Sequence, residues 1–149
     1  MKLFSQLVLI IGLVLGATSP GLAWEEPARG TDTRKALMDA IRPHAEWMLG
    51  APVQFVVTSL RRDGVVAFAS LTAQRPGGGA IALRDTPAFA RGETFQDQDI
   101  TDIHVLYRKS GNTWVAVHYS FGATDVWWSW GPICRTYRPV TPEVCQGVN

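Results

Sequence analysis

Histidine and carboxylate side chains are the first candidates for chemistry in this sequence. The chain has three histidines, His44, His104 and His118, and the last two lie on the two arms of one predicted β-hairpin. Two imidazoles make a zinc site only when a carboxylate joins them, and Asp102 or Asp125 would have to be that ligand. The HExxH spacing of zinc enzymes is absent. We therefore predict no metal site and expect these histidines to be structural or solvent-exposed.

Sequence motifs for catalysis are missing as well. The sequence contains no Gly-x-Ser-x-Gly nucleophile elbow, no P-loop and no dinucleotide fingerprint, and neither cysteine has a histidine close to it in sequence. These are the local patterns that mark nucleophilic catalysis, phosphate binding and cofactor binding. We therefore predict no catalytic residue and no cofactor, and the sequence favours a non-enzymatic role.

Tryptophan is concentrated in the segment GATDVWWSWGPIC, residues 122–134, which holds three of the six tryptophans of the chain. Thr124 is a typical helix-capping residue, and Gly131-Pro132 is a typical helix stop. The pattern predicts a short helix over residues 124–130.

The three indoles of this segment cannot share one face. On a helix, Trp127 and Trp130 lie on the same side, and Trp128 points away from both. Trp127 and Trp130 are therefore expected to press on the sheet as a lid over the core, because large aromatic side chains are highly buried on average. Trp128 is expected to be the exposed indole, and a ligand platform is the alternative interpretation of the cluster.

Surface aromatic and charged residues are then the remaining candidates for function. We expect Trp128, together with Asp125 and Arg75, to contribute to a surface that binds a peptide, a protein or a cell-wall component. The segment 74–101, rich in glycine, proline and charge, would lie beside that surface, because segments of this length without a regular pattern are often functional. The predicted function is that of a non-catalytic binding or accessory domain.

An alternative from another class stays open. A helix packed on an antiparallel sheet can leave a pocket between the two layers, which would bind a small ligand or hold an active site. Its candidate residues are His104, His118, Tyr119 and Asp125, of which His104 and His118 would approach each other across the second hairpin. The identity of the partner and the oligomeric state do not follow from the sequence.

Residues 1–23 have the features of a secretory signal peptide. Lys2 precedes an apolar run, and the segment ends in small residues that include Ala23. The apolar run is shorter than the roughly 20 residues that cross a bilayer, and we predict cleavage after Ala23. Residues 24–149 are predicted to form a single domain, periplasmic or secreted, without a membrane-inserted segment.

The charge and the cysteine content of the chain indicate which class of partner and which cellular compartment to expect. The chain has 14 Lys and Arg against 13 Asp and Glu, so it lacks the strongly basic surface typical of nucleic-acid binding, and no nucleic-acid partner is predicted. Its 2 cysteines, Cys134 and Cys145, both lie near the C terminus. In an exported chain we expect a disulfide between them that holds the C-terminal tail in place.

Residues 32–49 predict one long amphipathic helix. Its buried face is predicted from apolar residues that recur at helical spacing: Leu37, Ile41, Ala45 and Met48. Pro43 lies inside this pattern and lacks the amide hydrogen for a bond to the carbonyl of residue 39. We therefore expect a kink or a break into two short helices.

Two hairpins are predicted after the helix. The strand-forming runs VQFVVTSL and VVAFASLTA flank a turn at Asp63-Gly64, and the runs DIHVLYRK and TWVAVHYSF flank a second turn. Between the hairpins, residues 79–84 allow a brief extra strand, and Phe89 and Phe95 are expected to anchor the connection. The predicted fold class is α+β: one long N-terminal helix on a four- to five-stranded antiparallel sheet, with a short C-terminal helical turn.

The order of these elements resembles the cystatin-like α+β rolls, in which an antiparallel sheet wraps one helix. The Gln-x-Val-x-Gly tip of the cystatins themselves is not matched, since Thr58 replaces the glycine in QFVVT. The stretches RKALMDAIRPHAE, PVQFVV, AQRPGGG and GATDVWW are similar to small uncharacterised exported proteins of Gram-negative bacteria. That resemblance implies a periplasmic location and no known reaction.

Overall fold

The computed structural model describes residues 24–148, so the predicted signal peptide lies outside the described residues. The described chain is an α+β fold in which four antiparallel strands form one sheet in the order β1-β2-β3-β4. The strands are Gln54–Asp63 (β1), Val66–Gln74 (β2), Asp102–Ser110 (β3) and Thr113–Phe121 (β4). The helices are Asp32–Leu49 (α1), Pro87–Ala90 (α2) and Gly131–Tyr137 (α3). At this level the predicted fold class is confirmed.

Both predicted hairpins are present, and a glycine with positive φ allows each tight turn. Asp63 pairs with Val66, which leaves Gly64 and Val65 as the two loop residues between β1 and β2. The first turn therefore lies one residue later than predicted. Gly64 has a φ of 53° and Gly111, in the second turn, has a φ of 57°. A side chain would strain the backbone at both positions.

Helix α1 buries the face that its sequence predicts, except that Leu49 is its last fully buried residue and Met48 is only partly buried. Its fully buried residues recur every four positions: Leu37, Ile41, Ala45 and Leu49. Of the kink or break predicted at Pro43, the break is wrong, because α1 runs as one helix from Asp32 to Leu49, and the kink stays a prediction. Pro43 lies on the exposed side of α1, where water can satisfy the carbonyl of Asp39 that the missing amide leaves free.

The sheet carries apolar side chains on both faces, since alternate residues of a strand point to opposite sides. On one face, Ile103, Val105 and Tyr107 of β3 form the main core with α1. On the other face, Phe68 of β2 and Leu106 of β3 belong to a second, smaller cluster. Each face therefore needs a covering layer.

The C-terminal segment covers the second face. Ile133 and Tyr137 of α3 and Val140 beyond it are buried in the second cluster. A disulfide joins Cys134 to Cys145, both buried, and this confirms the predicted pairing. Because the crosslink closes a loop that includes the end of α3, it restricts the unfolded chain and favours the folded arrangement of this segment.

The connection between β2 and β3 is for the most part tied to the rest of the protein. The extra strand predicted for residues 79–84 is wrong, because β2 is already paired on both sides and offers no edge to it. Ile81 and Leu83 instead pack against the main core, and a 3₁₀ turn leads from Leu83 into α2. Phe95 was expected to be an anchor but is 83% exposed, because it lies among exposed turns.

Arg75, a predicted ligand-binding residue, joins the end of β2 to the end of α1. Its guanidinium donates hydrogen bonds to the carbonyls of Leu49 (2.8 Å), Gly50 and Pro52 (3.1 Å). The last carbonyls of a helix have no partner within the helix, and these bonds supply one. The positive charge also lies at the negative end of the helix dipole. The contacts of Arg75 are those of a structural clamp, and a ligand contact stays a prediction.

Replacing Arg75 with methionine tests this clamp. Arg75→Met keeps an unbranched side chain of similar length and removes every donor, so we expect the free energy of unfolding to fall by about 2 kcal/mol. Urea denaturation followed by circular dichroism measures the change. Arg84→Met is the matched control, because Arg84 is exposed on the 3₁₀ turn. Equal denaturation midpoints for the two variants would contradict the clamp.

Candidate functional site

The tryptophan segment folds differently from its prediction. Residues Trp127–Ser129 form a 3₁₀ turn, and α3 begins at Gly131, directly after Trp130. The expectation that Gly131-Pro132 ends a helix is therefore wrong. Proline is favoured in the first turn of a helix, where its missing amide hydrogen has no partner to lose, so the same residues start α3.

This local structure changes which indoles are packed. The Trp128 ring lies 4.4 Å from the His104 ring and 5.5 Å from the Phe68 ring, between centroids. Trp127 donates a hydrogen bond from Nε1 to Ser120 Oγ at 2.7 Å. Trp130 is 66% exposed. The lid over the second face is therefore Trp127 with Trp128, and the expectation that Trp128 is the exposed indole is wrong.

His104 lies half-buried in this stack. Its Nδ1 is buried and has no hydrogen-bond partner among the described residues. Burial lowers the pKa of His104 from its ordinary value, and the nearby Asp102 carboxylate opposes part of that shift. Burial of His104 therefore favours the neutral imidazole over the charged one.

The other candidates for a pocket do not converge with His104. Val105 pairs with Tyr119, and the Tyr119 hydroxyl lies 3.0 Å from Nδ1 of His44 on α1, so Tyr119 is on the α1 side of the sheet. His118 is exposed on the opposite side, where its ring contacts Tyr137 of α3. The four side chains proposed for a pocket between helix and sheet are therefore divided between two faces, and Asp125 is exposed on the segment after β4.

A groove of about 490 Å³ lies between α1, from Arg34 to Arg42, and the start of β1. One wall carries Arg29, Arg34 and Arg42, and the other carries Phe55 and Val57. No acidic residue lines it. We call this feature the arginine groove, and its lining favours an anionic occupant.

The three guanidinium groups of the arginine groove are held to different degrees. Arg34 donates to the carbonyl of Pro27 at 3.0 Å and lies 3.9 Å from the Glu26 carboxylate. Arg42 donates to the carbonyl of Val53, lies 5.1 Å above the Phe55 ring and is 3.8 Å from the Asp39 carboxylate. Arg29 makes no hydrogen bond or ion pair with any described residue.

Such exposed carboxylate contacts are weak. The groove keeps a net positive charge, because three guanidinium groups outnumber the two carboxylates beside them, Glu26 and Asp39.

The floor of the arginine groove is a free strand edge. In an antiparallel pair, opposite residues either bond to each other or both point their backbone groups away. The amide of Ala73 donates to Thr101, away from β1, so Phe55, which lies opposite Ala73, points its N–H and C=O outward. Val57, two residues after Phe55 on β1, also points its backbone N–H and C=O outward. No described residue hydrogen-bonds to these outward groups of Phe55 and Val57.

The same edge accepts a short piece of this chain at its other end. Glu25 forms an antiparallel bridge with Arg62, with hydrogen bonds of 2.8 Å and 2.9 Å between their backbones. The Glu25 carboxylate also contacts the Arg62 guanidinium. Backbone addition to β1 and pairing of a carboxylate with an arginine therefore already occur together in this structure.

None of the groove residues was predicted as a site. Their signal in the sequence is the spacing of Arg34, Met38 and Arg42, which recur every four residues along one predicted helix. That pattern shows a shared stripe but not what lies opposite it. Only the folded structure shows that the start of β1 lies opposite this stripe.

Comparisons with known proteins do not assign this chain to a family. No protein-family model, no curated protein and no solved structure matches it significantly. Within residues 24–148, no helix has the length and hydropathy of a membrane span. The same residues hold no group of three or more His, Cys, Asp or Glu side chains placed to bind a metal ion. The resemblances to cystatin-like rolls and to small exported proteins remain predictions.

The stack on His104 predicts a pH dependence of stability. The folded state lowers the pKa of His104, whereas the unfolded chain has the ordinary value of about 6.5. The stability from neutral His104 is therefore present above that value and is lost as the pH falls through the folded pKa. We expect the unfolding free energy of His104→Phe, which keeps a ring in the stack, to fall less on acidification than that of the unmodified chain.

Denaturant unfolding near neutral pH and near about pH 5 measures this effect. His118→Gln is the control, because the His118 ring is exposed, and it should keep the decline of the unmodified chain. If His104→Phe and the unmodified chain lose stability equally on acidification, the burial of His104 has no such consequence.

Proposed function

We propose that this chain is exported and acts as a non-catalytic binding domain for an extended peptide segment of a partner protein. The segment lies in the arginine groove and pairs with β1 as an additional strand. Export to the periplasm or outside the cell is supported by the signal-peptide pattern of residues 1–23. It is also supported by the disulfide, since disulfides persist in oxidising compartments.

The observation that carries the proposal is the outward direction of the backbone groups of Phe55 and Val57 inside a groove. Unpaired N–H and C=O groups on a strand edge are a template for another backbone. Strand addition gives affinity through those bonds and selectivity through side-chain pockets. These groups favour a peptide or protein ligand over a cell-wall saccharide, which has no repeating backbone amide at strand spacing.

The charge of the groove favours a partner protein over a second copy of this chain. Pairing β1 with β1 of another copy would bring two sets of Arg29, Arg34 and Arg42 together. Like charges placed face to face are destabilising. A segment of another protein can supply the opposite charge, as Glu25 does at Arg62.

Blocked octapeptides test strand addition. A panel with acidic, neutral or basic residues at alternate positions is titrated against the chain that starts at Trp24, with affinity measured by calorimetry. We expect binding by at least one peptide, with at least about tenfold loss in Val57→Pro, because proline removes an outward amide and blocks the edge. Val117→Pro is the matched control, since Val117 is the exposed bulge residue of the opposite edge strand, β4.

A second form of the experiment leaves the protein unchanged. In one peptide the odd-numbered amides are N-methylated, and in a second peptide the even-numbered amides. Only one of the two peptides should lose binding, because a strand points alternate amides toward its neighbour. Equal binding of the two N-methylated peptides, or no binding by any peptide of the panel, would contradict strand addition. A dimer of the unmodified chain that Val57→Pro dissociates would show that the occupant is a second copy.

A further inference from the structure

We infer that the segment captured by the arginine groove carries two acidic residues four positions apart, with an apolar residue midway between them. This inference rests on the proposed strand addition and adds the ligand's side-chain pattern to it. It follows from the spacing of three residues on α1 compared with the spacing of side chains on a strand.

The α1 wall of the groove has a fixed repeat. Arg34, Met38 and Arg42 recur every four residues and all line the groove, so they form one stripe along the helix. With a rise of about 1.5 Å per residue, Arg34 and Arg42 are about 12 Å apart along the helix axis. The stripe therefore presents a cation, an apolar side chain and a second cation in order.

A strand in the groove has a matching repeat. Residues on one side of a strand recur every second position, about 6.8 Å apart, so positions i and i+4 are about 14 Å apart. Helix α1 ends at Leu49 and β1 begins at Gln54, and Arg42 donates to the carbonyl of Val53, so the end of α1 lies beside the start of β1. An added strand can therefore place residue i at one arginine, residue i+2 at Met38 and residue i+4 at the other arginine.

The guanidinium groups have donors left for such a ligand. A guanidinium has five N–H donors. Arg34 and Arg42 each use one nitrogen for a backbone carbonyl. Their carboxylate neighbours, Glu26 and Asp39, have side chains 66% and 47% exposed, and exposed pairs of this kind are weak. A ligand carboxylate can displace them and form charge-assisted hydrogen bonds.

Two peptides of identical composition test the spacing. In Thr-Thr-Glu-Thr-Leu-Thr-Glu-Thr the acids are four positions apart and share one side of the strand with leucine. In Thr-Thr-Glu-Thr-Leu-Glu-Thr-Thr they are three apart and point to opposite sides. We expect the first to bind at least about tenfold tighter than the second and than its glutamine analogue. The advantage over the glutamine analogue should shrink as salt is raised, because salt screens the charges.

The protein side of the test uses Arg29, which has no structural bond to lose. Arg29→Gln should weaken binding of the first peptide by about threefold and leave its glutamine analogue unchanged. Arg135→Gln is the matched control, because Arg135 is an exposed arginine on α3, across the sheet from the groove. It should leave both affinities unchanged.

The outcomes separate this inference from the proposed function. If all three peptides bind equally and Val57→Pro still abolishes binding, strand addition stands and the acidic pattern is overturned. If none of these three peptides binds, the acidic pattern is overturned, and strand addition is overturned as well if no octapeptide of the panel binds. If the first peptide is preferred and Arg29→Gln reduces that preference while Arg135→Gln does not, the inference is supported.

Discussion

The sheet is apolar on both of its faces, and the position of every other element follows from that constraint. A four-stranded sheet that exposed either face would leave Tyr107 and its neighbours, or Phe68 and Leu106, in water. Helix α1 covers the first face with four fully buried residues. The second face is covered by a segment too short to form a large core, and a disulfide holds it there. The tryptophan lid, which sequence patterns could suggest to be a ligand platform, is needed for this second covering layer.

Arginine has an unusual share in holding these layers together. Among residues 24–148, seven arginines each donate to a backbone carbonyl that regular helix or strand pairing leaves free: Arg34, Arg42, Arg61, Arg62, Arg75, Arg91 and Arg138. The guanidinium suits this task, because it is always charged and presents several donors in a fixed plane. Most of the arginines, 7 of 11, therefore have a structural bond. An arginine without such a bond, such as Arg29, is the better indication of an open site.

Local signals predicted the parts of the fold that depend on local physics. The spacing of Leu37 and Ile41, the turn residues around Gly64 and the pair of cysteines predicted α1, the first hairpin and the disulfide. The errors arose where contacts between residues far apart in sequence determine the local structure. Residues 79–84 contain a short apolar run that suggested a strand, but β2 has no free edge for them. Gly131-Pro132 suits both the end and the start of a helix, and only packing against the second face selects the start of α3. The arginine groove needed the alignment of α1 with β1, which no local pattern contains.

An open strand edge is a hazard for a protein as well as a binding device, because it can pair with the same edge of another copy. Many sheets avoid this by covering the edge or by placing lysine or proline on it. Here the described residues pair with the outer edge of β1 only at Arg62, and the exposed part lies beneath a row of arginines. Those arginines oppose β1-to-β1 pairing by charge repulsion and attract a segment with carboxylates at matching positions. Under the proposed function, one set of side chains protects the exposed part of the edge from self-association and selects its partner, so the edge needs no covering element from residues 24–148.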